Sequence, residues 1–99
     1  MIEVDQFAKV IKLSFNCPRC GKHIGYIIDK FPQPDMMADN YSDSMVSDSV
    51  QIPCLSCKTE KFDVEMYAGN GDKSLTISNP NSPYPIKEED VVVSVIREI

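Results

Sequence analysis

At 99 residues the chain has room for one hydrophobic core, and its 42% hydrophobic and 25% charged residues suit a globular domain rather than a disordered or fibrous chain. No apolar run approaches the ~18 residues of a membrane-spanning helix, and the start "MIEVDQFAKVIKLSF" lacks the basic head and apolar stretch of a signal peptide, so no membrane partner and a cytoplasmic location are expected. The formal charge of −5 argues against general affinity for nucleic acid or anionic lipid, since both are driven by summed positive charge.

Along residues 9–15, Ile11, Leu13 and Phe15 alternate with Lys12 and Ser14, the period of a half-buried strand running into Cys17. "HIGYIIDKF" follows, rich in β-branched and aromatic residues, and predicts a second strand that makes the intervening "CPRC" the turn of a hairpin. Residues 32–49 hold two prolines, four aspartates and four serines with no sustained period, and predict a long polar loop. "VQIPC" reads as a short strand. "KFDVEMYAG" and "SLTIS", joined by a Gly-rich turn, read as a β-hairpin over 62–78, with Phe62, Val64 and Met66 on one face of the first strand and Leu75 and Ile77 on one face of the second. "NPNSPYP" is a stiff connector. In the C-terminal segment 86–99, Val92, Val95, Ile96 and Ile99 form a helical stripe, but "VVVSVI" is β-branched at five of six positions and favours a strand.

The chemical signal lies in four cysteines set as two CxxC pairs, Cys17 with Cys20 and Cys54 with Cys57. In a reducing compartment such pairs point to metal or redox chemistry rather than to a disulfide framework. Zinc takes four ligands in a tetrahedron, with thiolates at about 2.3 Å, and two residues between cysteines let a tight turn aim both sulfurs at one ion. Pro18 presets such a turn, and Gly21 supplies the positive φ often needed after the second ligand. At the second pair Leu55 and Lys58 stand in those places, so either Lys58 carries some strain or that turn takes a different form. The 33 residues between Cys20 and Cys54 fall to 15 once the 18-residue loop is set aside, an ordinary ribbon spacing. One structural zinc ion is therefore expected on Cys17, Cys20, Cys54 and Cys57, and iron in the same four sulfurs is left open. The lone His23 is expected beside the site rather than in it.

A closed four-cysteine shell leaves no position for water or substrate, so the chain is not expected to be an enzyme. No phosphate-cradling loop follows a strand, and no nucleophilic triad can be assembled around one histidine. The cations near the pairs, Arg19, Lys22, His23, Lys58 and Lys61, serve either phosphate binding or the offset of a zinc tetrathiolate, whose charge of −2 would take the chain from −5 to −7.

The stretches "CPRCG" and "CLSCK" resemble the knuckles of the broad zinc-ribbon class, in which two hairpin tips clamp one zinc ion and a three-stranded sheet extends from them. The resemblance covers about residues 9–78. It implies a mostly-β fold: one domain over 1–99, a zinc ribbon with an extended antiparallel sheet and the polar loop 32–49 inserted between the knuckles. Ribbons serve many functions. The expectation is a small binding or adaptor module working through another protein, a basic one if the loop aspartates choose it. A nucleic-acid-binding ribbon and a rubredoxin-like or dithiol redox protein are the alternatives.

Overall fold

The computed structural model describes residues 1–32, 46–69 and 72–98. Among them run β1 (Ile2–Val4), β2 (Ala8–Asn16), β3 (His23–Ile28), β4 (Val46–Pro53), β5 (Lys61–Ala68), β6 (Lys73–Ser78) and β7 (Val92–Glu98), with a 3-10 turn at Glu88–Asp90 before the last. The strands form two antiparallel sheets, ordered β1-β6-β5-β4 and β3-β2-β7. The mostly-β fold expected from the sequence is present, with its strands divided between two sheets.

Alternation decides which side chains go inside. Ile11, Leu13 and Phe15 of β2 are buried while Lys12 and Asn16 face water, and Phe62, Val64 and Met66 of β5 repeat the pattern with Leu75 and Ile77 of β6. The two inner faces supply one core. Its centre is the pair Phe15 and Phe62, one from each sheet, with ring centroids 5.0 Å apart and planes at 75°. That edge-to-face arrangement sets the positive rim of one ring on the negative face of the other.

Three features differ from the sequence reading. The polar segment was expected to run to residue 49, but Val46–Pro53 is a strand, with Val46 opposite Ala68 and Ser49 opposite Glu65. Ser47, Asp48 and Ser49 sit exposed on a sheet edge, where burial does not enforce an apolar period, so their polarity hid the strand. Of the remainder of that expected loop, Pro32 is described and 33–45 lie outside the described residues, as does Ile99 of the helical stripe. The short strand β1 went unread because three residues carry no detectable period. The C-terminal segment is a strand, as favoured, and it pairs with β2, so it belongs to the same sheet as the first knuckle.

Candidate metal centre

Each cysteine pair caps a hairpin, and the two hairpins come from different sheets. β2 and β3 pair as far as Asn16 opposite His23, and Cys17 extends the ladder by donating its N–H to the Lys22 carbonyl at 2.8 Å. β4 and β5 pair as far as Pro53 opposite Lys61, and Cys54 donates to the Glu60 carbonyl at 2.9 Å. The ladders thus bring the four cysteines to one end of the core.

The four Sγ atoms lie within 4.8 Å of one another, and Cys20 Sγ stands 3.6 Å from Cys54 Sγ. A tetrahedral thiolate shell with bonds of about 2.3 Å has sulfur–sulfur edges of about 3.8 Å, so Cys17, Cys20, Cys54 and Cys57 could hold a metal ion. All four are free thiols. The gap between Cys20 and Cys54 is far beyond the ~2.05 Å of a disulfide.

Burial divides the ligand set. Cys17 and Cys54, the first of each pair, are buried, while Cys20 is exposed and Cys57 half-buried. Burial pushes the Cys17 thiol up to about 12, against the backbone N–H groups of Cys20 and Arg19, which favour its thiolate. The Thr59 and Glu60 N–H groups pull Cys57 down to about 6, and the Lys22 N–H lowers Cys20. Two sulfurs are thus disposed toward thiolate by fixed backbone dipoles, and Cys17 sits where a bound cation would have to compensate its charge. Gly21 has a φ of 77° and Lys58 a φ of 59°, so both residues after the second cysteine take the left-handed conformation, Lys58 without a glycine's freedom.

His23 is exposed and stays outside the sulfur cluster, its Nδ1 3.3 Å from Asn16 Oδ1. Arg19, one of the cations near the knuckles, is 3.6 Å from the Glu60 carboxylate and lies over the Tyr84 ring at 5.4 Å. Glu60 is only 4% exposed and accepts a 2.9 Å bond from Asn79 Nδ2. Asn79 also donates to the Tyr84 carbonyl at 2.8 Å and accepts from the Ile86 N–H at 2.8 Å. Hydrogen bonds from the Ser82 and Asn79 side chains, together with the Arg19 charge, hold the Glu60 carboxyl below its ordinary value. This polar network ties both knuckles to the Pro-rich connector. The sequence reading missed it; its one legible signal was the Asn79-Pro80 pair, a turn former.

Comparison with protein families, with curated proteins and with solved structures finds no match to this chain. Fold and site together define a small, mostly-β, zinc-ribbon-like domain carrying a four-cysteine cluster fit for a metal ion. Among the described residues no helix is long and apolar enough to cross a membrane.

Proposed function

We propose that this chain is a binding module without catalysis of its own, in which Cys17, Cys20, Cys54 and Cys57 hold one structural zinc ion and the metal-braced surface engages another protein. The observation that carries the reading is the convergence of four free sulfurs from two sheets within 4.8 Å. A full thiolate shell leaves the ion no open coordination position, which suits a brace and not a reaction centre. Contact with a protein is supported by Leu55, which stands 81% exposed at the tip of the second knuckle. An apolar side chain held out on a rigid turn is a natural anchor for a partner surface.

The nucleic-acid reading is weakened by Arg19. Its guanidinium is engaged by Glu60 and Tyr84, so one of the few knuckle cations already serves the fold. Iron in the same sulfurs would make the protein coloured, and zinc would leave it colourless. Elemental analysis of protein purified without added metal is expected to find one zinc per chain. Affinity capture with the intact protein, but not with Cys54→Ser, is expected to retain a partner protein. Stoichiometric iron, or capture of nucleic acid in place of protein, would overturn the reading.

A further inference from the structure

Two sheet edges flank the second knuckle, and they are built differently. Because Cys54 donates to the Glu60 carbonyl, the alternation of an antiparallel ladder turns the backbone groups of Ser47, Ser49, Gln51 and Pro53 to the free edge of β4. Pro53 has no N–H to offer, and the Ser49 N–H is already taken by Asp48 Oδ1 at 2.8 Å. That edge is blunted in the way natural sheets prevent further pairing. By the same alternation, Cys17 donating to the Lys22 carbonyl turns the N–H and C=O of His23, Gly25 and Ile27 outward from β3. Among the described residues no strand pairs with β3 on that side.

Beside this open edge the two sheets gape. The opening is a cleft of about 440 Å³ with Ile24 and Tyr26 of β3 on one wall, Ile52 and Pro53 of β4 on the other, and Leu55 at its rim. Its size falls within the roughly 300–1,000 Å³ of ligand-binding clefts. Lys22 and His23 also line it. A further basic side chain crosses the strand: Gly25 leaves room for the Lys12 side chain, and a Cβ there would stand 3.1 Å from Lys12 Cε and 3.7 Å from its Nζ. Neither lysine forms an ion pair among the described residues. In a chain of net charge −5, a cationic strip along an open edge beside an apolar cleft is a local reversal of sign.

We infer that the free edge of β3 is a docking site for an extended segment of a partner protein in which carboxylates alternate with large apolar side chains. The segment adds as a fourth strand beside β3, bonding to the outward groups of His23, Gly25 and Ile27. Its apolar side chains enter the cleft under Leu55, and its carboxylates lie over Lys12, Lys22 and His23. A phosphate backbone satisfies the cations but offers no donor to the edge carbonyls and nothing apolar to the cleft. The inference rests on the protein-binding reading above and gives the partner at this edge an acidic character, opposite to the basic partner expected from the loop aspartates.

The test selects binders from a displayed library of random decapeptides against the metal-loaded chain, then titrates the most enriched sequence into isotope-labelled protein. Enriched peptides are expected to alternate acidic and apolar residues, and amide shifts are expected to concentrate at His23, Gly25, Ile27 and Leu55. Gly25→Pro removes one outward donor and is expected to weaken binding by about three- to tenfold. Gly25→Ala displaces Lys12 in the same way but keeps the donor, and is expected to retain more of the affinity. Leu55→Asp and Lys12→Glu change exposed side chains and are each expected to weaken binding by about tenfold with the metal content intact. Shifts confined to another edge, such as β7, would overturn this site while leaving the protein-binding reading in place. A library yielding no binder would overturn the site, and a single-stranded oligonucleotide bound through Lys12 and Lys22 would overturn the reading with it.

Discussion

Gly21 and Lys58 occupy the same position in the two knuckles: each follows the second cysteine, and each donates its N–H to the carbonyl of the first, at 2.8 Å and 2.9 Å. Each also has a positive φ, so the turn demands the left-handed conformation at that place whatever residue fills it. A non-glycine residue there costs about 1–2 kcal/mol, and a glycine costs about 0.5–1 kcal/mol in lost chain entropy. The difference makes Lys58 a site of small stored strain.

Lys58→Gly is therefore expected to stabilise the metal-loaded protein by about 0.5–1 kcal/mol, read as a higher midpoint of thermal unfolding. Gly21→Ala is expected to destabilise it by about 1 kcal/mol. Among the described residues no atom beyond Gly21 and its two chain neighbours lies within 4 Å of the added Cβ, so that loss would come from the backbone alone. A lower midpoint for Lys58→Gly would mean that the lysine side chain contributes more than its strained backbone costs.

Removal of the proposed zinc ion should be felt throughout the fold, because the two hairpins that meet at the cluster come from different sheets. Structural zinc contributes about 10–16 kcal/mol in small fingers at neutral pH, more than the usual stability of a domain. Chelation, or Cys54→Ser, is expected to abolish cooperative unfolding as followed by circular dichroism. An unchanged melting curve after complete chelation would show that the core stands without the ion.

Phe62 is fully buried and meets Phe15 edge-on between the sheets. Phe62→Ala is expected to cost about 3–5 kcal/mol, through lost transfer free energy and the cavity left behind. Denaturant titration of the metal-loaded variant measures it. A cost below about 1 kcal/mol would mean that the two sheets reclose over the gap.

Glu60 links stability to pH. Its carboxyl is held below the ordinary value of 4.5 in the fold, first by the Ser82 and Asn79 side chains and then by Arg19. A depressed folded value means that the ionised form stabilises the protein above the unfolded value, and that this contribution is lost as pH falls through the folded one. Glu60→Gln is expected to be less stable than the parent at neutral pH, with the gap narrowing as pH drops below about 4.5. A gap independent of pH would mean that packing, not charge, is what Glu60 provides.

The sequence by itself determined the strands with a buried face and the cysteine pairs, because both leave short-range marks. Phe62, Val64 and Met66 recur every second residue since the pleat sends alternate side chains to one side, and Cys17 and Cys20 stand three apart since one turn must aim both. The motif left Lys58 either strained or in a different turn, and its φ of 59° decides for strain. Only the tertiary structure decided what depends on partners distant in the chain. The division into two sheets follows from β7 choosing β2 and β1 choosing β6, pairings that no local period encodes. Val46–Pro53 became visible as a strand only beside β5, because an exposed edge imposes no apolar pattern. The bond between Asn79 and Glu60 spans 19 residues, and burial there is tolerable only because each polar group finds the other. Among the described residues the open edge of β3 is likewise a property of what does not pair with it, and a chain read one residue after another carries no record of that.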